Sequence, residues 1–184
     1  MREQRVRDIE TEMLEASFNY LCKNGLENVS IRELCKDTGI SMGSIYYWFD
    51  GKEELILDAA EYGLNKVVGE IFDYAIKNMF DFGNDIDVFL SHLLKYKKPL
   101  RFVYQLASSP QYGDKIREKS VSWSDLYDRY ESELSSTERC EMKDLRPIIY
   151  LYLSSVVDYV VWEDHESIKV RLEYVSKLFT EKCK

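Results

Sequence analysis

The side chains best placed to do chemistry lie between Ser30 and Lys52, where two short helices are predicted to follow each other closely. Ser30 stands three residues before Glu33, the spacing of a capping box in which each side chain satisfies the other's free backbone N–H. Ser41 is predicted to cap the second helix. Free N–H groups at a helix N-terminus carry partial positive charge and bind phosphate well. This stretch therefore predicts a phosphate-binding surface.

The two helices are predicted to form a helix-turn-helix over residues 30–49. Ile31 and Leu34 give the first helix an apolar face, and Gly39 ends it because glycine accepts the left-handed conformation found at many helix C-termini. The second helix is rich in apolar and aromatic residues from Ile45 to Phe49. In this motif the second helix enters the major groove of DNA.

The residues expected to contact DNA lie at the helix starts or on the exposed turns of the second helix. Gly43 permits close approach to the groove wall, Ser44 can bond to a base edge, and Met42 can pack on a thymine methyl group. Ile45 and Phe49 are interpreted as core residues, and partial burial of Tyr46 is the alternative to DNA contact. The expected DNA-binding residues are Ser30, Arg32, Ser41, Met42, Gly43, Ser44, Tyr46, Tyr47 and Lys52.

A longer pattern surrounds this motif. It consists of Met13-Leu14-Glu15-Ala16, Gly25, Ser30-Ile31-Arg32-Glu33-Leu34, Gly39-Ile40-Ser41, Gly43-Ser44-Ile45-Tyr46, Phe49 and Lys52-Glu53-Glu54-Leu55. With this pattern, the chain from Met13 to about Glu61 resembles the DNA-binding domain of the tetracycline-repressor (TetR-like) family of transcription regulators. The resemblance implies that Tyr47 and Lys52 clamp the DNA backbone. Met42 and Trp48 depart from the usual residues, and Trp48 can be explained by packing against the first helix.

The resemblance also implies a homodimer that binds a palindromic or pseudo-palindromic operator in double-stranded DNA. The expected function is ligand-responsive regulation, with a repressor released from its operator by a largely apolar small molecule. A helical interaction protein with a degenerate DNA-binding head is the alternative. An enzyme is disfavoured, because the chain has no Ser-His-Asp, Cys-His, metal-spaced or phosphate-cradling constellation, and no cofactor is expected.

Helical spacing of apolar residues along the chain, with few Gly and Pro, predicts an all-α fold of about nine helices. Residues 1–51 are predicted to form a three-helix DNA-binding domain, and residues 52–184 a helical bundle for ligand binding and dimerisation. A first helix over 7–24, with Ile9 on its apolar face, is followed after the motif by a long helix over 52–77. Further helices are predicted over 85–95, from Pro99, over 115–136, from Pro147 to 162 and over 166–182, with loops at 80–84 and 135–143.

The last two helices carry more apolar residues than one buried face requires. By the resemblance they pair with their copies across a two-fold axis, although a simple monomer core would also explain them. The expected interface residues are Val157, Val161, Leu172, Val175 and Phe179. Aromatic residues of the middle helices are candidates for a ligand pocket or for core, namely Phe102, Tyr104, Trp123, Tyr127 and Tyr152.

The net charge of −8 on 184 residues opposes nonspecific binding to DNA, because Lys and Arg supply most of that affinity. The segment Ser41 to Phe49 is uncharged, and Arg2, Arg5 and Arg7 are expected to form a flexible arm that reaches phosphates or a minor groove.

The remaining composition indicates a cytoplasmic protein. No apolar run of 18 residues exists, and the first ten residues lack the apolar segment of a signal peptide. The four cysteines form no CxxC pair, so reduced thiols are expected rather than a redox sensor. His92 and His165 are isolated, so no metal site is predicted.

Overall fold

The computed structural model describes residues 2–27, 29–78, 86–119, 128, 132 and 142–183. The helices in these residues are α1 (Arg2–Asn24), α2 (Ile31–Thr38), α3 (Met42–Trp48), α4 (Lys52–Lys77), α5 (Ile86–Leu93), α6 (Lys97–Ala107), α7 (Gly113–Lys119), α8 (Met142–Trp162) and α9 (His165–Cys183). A 3-10 turn, Leu94–Tyr96, joins α5 to α6. No β-strand occurs in the described ranges, which confirms the all-α prediction. None of the described helices is both long and apolar enough to cross a membrane.

The chain divides into two compact units. The first contains residues 1–66 and 101–121, and the second contains 67–100 and 122–184. Helix α4 contributes its first half to one unit and its second half to the other. The first half of α4 and the segment 101–121 belong to the same compact unit as the helix-turn-helix, and the domain boundary between residues 51 and 52 stays a prediction.

The first unit has an apolar core under the helix-turn-helix. Leu21 of α1, Leu34 of α2, Ile45 of α3 and Leu55 of α4 are all fully buried or nearly so. Each residue lies on the apolar face that helical spacing assigns to its helix.

In the second unit, α8 and α9 form an antiparallel pair. The end of α8 is marked by Glu163, whose φ of 58° turns the chain before α9 begins at His165. Tyr152 on α8 is fully buried, its ring packs against Phe72 at a centroid distance of 5.9 Å, and its hydroxyl donates to the Ile71 carbonyl at 3.1 Å. This hydrogen bond satisfies a polar group that would otherwise be costly to bury.

Helix α1 begins five residues earlier than predicted. Arg2, Arg5 and Arg7 therefore lie on a helix and not in a flexible arm. The stretch from Arg2 to Asp8 contains several good helix formers and no Gly or Pro to end the helix, so the periodic pattern of apolar residues alone placed the start too late. Ile9, assigned to the apolar stripe, is exposed.

Helix α8 also begins before its predicted start. Pro147 lies inside the helix at its sixth position and not in its first turn. The proline lacks an N–H to offer the carbonyl four residues earlier, but its side of the helix is exposed, where water can satisfy that carbonyl. The predicted loop at 80–84, most of the predicted helix 115–136 and most of the loop 135–143 lie outside the described residues.

Three of the five expected interface residues belong to the core of the chain itself. Leu172, Val175 and Phe179 have no exposed surface, because α9 turns this face toward the interior of the second unit. They therefore have no surface to offer a second copy, and their assignment to the interface is corrected. Val157 and Val161 on α8 are half-buried.

Candidate nucleic-acid interface

Helix α2 begins and ends where its sequence predicts. The Ser30 side chain accepts a hydrogen bond of 3.1 Å from the Glu33 amide, which satisfies one of the free N–H groups at the helix start. Gly39 ends the helix with a φ of 75°, and its amide donates to the Cys35 carbonyl. This left-handed conformation is most easily adopted by glycine, so the tight turn into α3 depends on Gly39.

Helix α3 is fixed to the unit by its cap and by two buried side chains. The Ser41 hydroxyl accepts from the Ser44 amide at 3.0 Å, and the two serine hydroxyls lie 2.8 Å apart. Ile45 and Phe49, four residues apart, are buried, as their interpretation as core residues requires. The Ser44 hydroxyl thus uses one of its hydrogen-bonding sites to bind the Ser41 hydroxyl. A hydroxyl has one donor and two acceptor sites, so some capacity remains for a base edge.

The opposite face of α3 is exposed and uncharged. Met42 and Tyr46 are about half exposed, and Tyr47 is 80% exposed. A Cβ atom at Gly43 would meet no atom nearer than 3.8 Å, so the space above this glycine is open. Trp48 is half-buried. Its ring packs edge to face with the Tyr47 ring, at a centroid distance of 5.4 Å. This face can approach a groove wall without charge repulsion.

Lys52, the first residue of α4, has a partner inside the protein. Its Nζ atom donates to the Val29 carbonyl at 3.3 Å, which ties the start of α4 to the residues before α2. The side chain is exposed, and an ammonium group has three donors, so two remain for a phosphate. Arg32 on α2 is also exposed.

A close contact between α1 and α4 stabilises the unit that contains the helix-turn-helix. The buried ring of Phe18 lies directly over Gly63, where a Cβ atom would be 2.2 Å from the ring. The edge of the same ring meets Phe102 of α6 at a centroid distance of 6.0 Å. Glycine at 63 is thus required by close packing, and α1, α4 and α6 meet at Phe18.

Ion pairs also hold α7 against the first half of α4. Lys115 pairs with Glu53, and Lys119 pairs with Asp58 and, at 3.7 Å, with Glu61. Burial by itself would lower the pKa of Lys119, but the two carboxylates outweigh it and raise the pKa above its ordinary value. The hydrogen bond from Lys115 lowers the pKa of Glu53.

Sequence reasoning missed this support by α6 and α7. The lysines lie more than fifty residues from their carboxylate partners, and the only signal was opposite charge with helical spacing, i and i+4, on α7.

Comparison with known families finds a match for part of the first unit. Residues 13–59 match the family model described as bacterial regulatory proteins, tetR family. The match runs from Met13 in α1 to Ala59 in α4 and includes the whole of the two-helix segment with its caps. The helix-turn-helix segment of this chain is therefore similar to the DNA-binding domain of tetR-family regulatory proteins.

Two transcriptional regulators and one solved structure are also similar to this chain. The chain is 28% identical over 68 residues to the HTH-type transcriptional regulator PksA of Bacillus subtilis (strain 168), a match that covers 37% of this chain and 33% of PksA. It is 24% identical over 181 residues to the HTH-type transcriptional regulator SAB2452 of Staphylococcus aureus (strain bovine RF122 / ET3-1), covering 96% of this chain and 91% of that protein. The fold is similar to the crystal structure of SCO7518 from Streptomyces coelicolor A3(2), with a TM-score of 0.62, 18% identity and coverage of 92% and 96%.

The structure describes three of the five candidate pocket residues. Phe102 is buried against Phe18 in the first unit, and Tyr152 is buried in the second. Tyr104 is 48% exposed. Trp123 and Tyr127 lie outside the described residues. The location of a ligand pocket among these residues stays a prediction.

The cysteines and histidines of the described residues have ordinary surroundings. Burial raises the pKa of the Cys22 thiol to about 12, which keeps it protonated and unreactive at neutral pH. His92 stacks on Tyr74 at a centroid distance of 5.2 Å, and burial lowers its pKa. Within the described ranges, no group of three His, Cys, Asp or Glu side chains could hold a metal ion.

Proposed function

We propose that this protein is a DNA-binding transcription regulator of the tetR family that reads its operator with α3. The observation that carries the proposal is the exposed, uncharged face of α3 opposite its buried anchors, Ile45 and Phe49. Met42, Gly43, Ser44 and Tyr46 are assigned to base edges. Phosphates are assigned to Tyr47, Lys52, Arg32 and the helix starts at Ser30 and Ser41. Selection of bound duplexes from a random DNA pool by the full-length protein is the direct test.

Gly43→Ala is expected to separate DNA binding from folding. The added methyl group has open space inside the protein and favours helix over glycine by about 0.5–1 kcal/mol, so thermal stability should hold or rise. The same methyl group would stand between α3 and the groove wall. Loss of a close base contact worth about 1–3 kcal/mol predicts roughly a tenfold or larger fall in affinity for the selected operator. Anisotropy titration and thermal unfolding measure the two effects. Unchanged operator affinity would remove this face of α3 from the DNA interface.

Tyr47→Phe and Ser44→Ala are expected to differ in kind. The Tyr47 hydroxyl is assigned to a phosphate, so its loss should weaken binding to all sequences about equally. Ser44 is assigned to a base, so its loss should change which bases the selected pool prefers. Sequencing the pools selected by each variant makes the comparison. A changed base preference in Tyr47→Phe, with none in Ser44→Ala, would reverse the two assignments.

We also propose that the regulator is a homodimer paired through the outer faces of α8 and α9. Large apolar side chains are exposed along these faces, among them Tyr150 on α8 and Val170 and Tyr174 on α9. Exposed apolar side chains grouped on one surface are typical of protein–protein interfaces. Val157 and Val161 lie on the α8 part of this face, and the new residues replace Leu172, Val175 and Phe179.

Repression relieved by a small molecule is the form of regulation that we propose. The support is that residues 101–121, from the middle of the chain, belong to the same unit as the helix-turn-helix and hold the first half of α4 through Lys115 and Lys119. A ligand that displaced this segment would disturb the start of α4. Because Lys52 binds the Val29 carbonyl, the helix-turn-helix would be disturbed as well. A metabolite library screened first by thermal shift, then for release of the operator, tests this part of the proposal.

Lys119→Met is expected to loosen α4 without touching the DNA-reading face. The partly exposed pairs with Asp58 and Glu61 are worth about 0.5–1 kcal/mol after solvent screening, and amide exchange in the first three turns of α4 should accelerate accordingly. Lys177→Met is the matched control, since it removes a pair with Glu181 on α9 at 3.9 Å and should leave α4 unchanged. Equal exchange in both variants would show that α7 does not restrain α4.

A further inference from the structure

A cavity of about 160 Å³ lies at the corner where α8 ends and α9 begins. Its apolar side is formed by Tyr159, Ile168 and Trp162, and its polar side by Asp158, Asp164, Ser167 and Arg171. Tyr159 and Ile168 are buried and form the floor, whereas the Trp162 indole is 73% exposed at the rim. All these residues belong to the second unit.

The corner is held in shape by contacts that do not depend on a ligand. Asp164 caps α9, since its Oδ1 atom accepts from the Ser167 amide at 3.0 Å. Arg171 binds Asp158 through Nη1 and Oδ2 at 2.6 Å. The Tyr159 hydroxyl lies 3.4 Å from Nδ1 of His165. The lining is therefore organised before any guest arrives, which reduces the entropy lost on binding.

The charges of the lining favour a cation as guest. Two carboxylates and one guanidinium face the cavity, and the guanidinium is already paired with Asp158. Asp164 is paired with no cationic side chain in the described structure, and only one of its oxygens is used by the cap. Because the Arg171 guanidinium offsets Asp158, the lining keeps the negative charge of Asp164, which repels an anion and attracts a cation.

The size and the aromatic rim restrict the guest further. An apolar protein cavity of about 150 Å³ accommodates a benzene molecule, so a single small ring or a short aliphatic chain fits here. An exposed indole face attracts cations by about 0.5–1 kcal/mol or more. Tyr159 and Ile168 supply an apolar floor for the body of the guest.

We propose that this corner binds a small organic cation, a primary ammonium group carried on a short apolar body. The ammonium group binds the Asp164 carboxylate and lies against the Trp162 indole. The site is distinct from the predicted pocket residues, and its occupancy is independent of the DNA-binding proposal because it is measured without DNA.

Benzylamine, which is cationic at pH 7, is the probe, and benzyl alcohol is its neutral counterpart of similar shape. Calorimetric titration into the full-length protein in 0.15 M salt should show saturable binding of benzylamine with one site per chain. Benzyl alcohol should bind at least about fivefold more weakly, because it lacks the attraction to the carboxylate and the indole. Binding of benzylamine against the Trp162 indole should also change tryptophan fluorescence. This change should be absent in Trp162→Leu.

Asp164→Asn tests the charge while it preserves the cap, since the amide oxygen can still accept from Ser167. It should weaken benzylamine binding at least about threefold and leave benzyl alcohol unaffected. Trp162→Leu should weaken benzylamine about threefold as well. Glu173→Gln is the matched control on the exposed surface of α9, outside the lining, and should bind benzylamine as the parent protein does.

Three results would overturn the proposal. These are no saturable binding of benzylamine, equal affinity for benzyl alcohol, and benzylamine affinity unchanged by Asp164→Asn. Each variant is first compared with the parent by thermal unfolding, so that a loss of binding is not read from an unfolded protein.

Discussion

Val170→Glu is expected to convert the dimer to monomers and to reduce operator affinity by roughly 10²–10⁴-fold. Val170 is 67% exposed on the outer face of α9, the face proposed to pair with a second copy. In a two-fold interface the same residue enters from both sides, so each substitution places two like charges in an apolar seam, where unpaired charge is costly. A monomer holds one half-site only and loses the gain from joining two binding events. Sedimentation velocity and operator titration measure the two consequences.

Val88→Glu is the matched control for this experiment. Val88 is 63% exposed on α5, a helix that is not part of the proposed interface, and the substitution adds the same charge to the chain. It should leave the dimer intact and lower operator affinity only slightly through added negative charge. If both variants sedimented as the parent dimer, the interface would lie elsewhere. If both became monomers, net charge and not the α9 face would control association.

Gly63→Ala is expected to destabilise the protein by about 1–3 kcal/mol, the usual cost of overpacking a filled core. The new methyl group would lie 2.2 Å from ring atoms of Phe18, which is itself buried and pressed against Phe102. Both rings are buried, so relief of the contact requires α1 and α4 to shift apart. For a chain of this length the midpoint of thermal unfolding should fall by about 2–4 °C per kcal/mol. Operator affinity should fall as well, since α1 and α4 hold the helix-turn-helix.

A second substitution tests whether the cost arises at this contact. Phe18→Leu combined with Gly63→Ala should recover part of the lost stability, because the smaller side chain makes room for the methyl group. Gly43→Ala is the matched control, a helical glycine replaced by the same residue where space is open. If Gly63→Ala proved as stable as Gly43→Ala, the close packing of Phe18 on α4 would not exist in solution.

The features that the sequence determined by itself are the local ones. Hydrogen bonds and backbone preferences within a few residues determine these features. They are the caps at Ser30 and Ser41, the left-handed conformation of Gly39, and the limits of α4 at Lys52 and Lys77. Such preferences can be recognised in a short segment without knowledge of the rest of the chain. The pattern of Ile45 and Phe49 likewise determined which side of α3 is buried.

Errors at helix ends had a related cause. Helix formers on both sides of a periodic segment extend the helix beyond its apolar stripe, as at Arg2 and Met142. Apolar periodicity records which face is buried and is silent about residues that are helical and exposed.

Only the tertiary structure decided which apolar residues of the last helices remain exposed. Val175 and Val170 are the same residue type on one helix, and their position relative to α8 makes one core and the other surface. A composition rich in apolar residues could not distinguish them.

The contacts that stabilise the helix-turn-helix unit could also be found only from the tertiary structure. Phe18, Gly63 and Phe102 meet from three separate segments, and Lys119 reaches carboxylates some sixty residues earlier. The pairing of such distant residues depends on how whole helices pack, and helix packing is decided by the combined fit of many side chains. No local pattern encodes that fit, so the segment 101–121 could be joined to the helix-turn-helix only after the chain was folded.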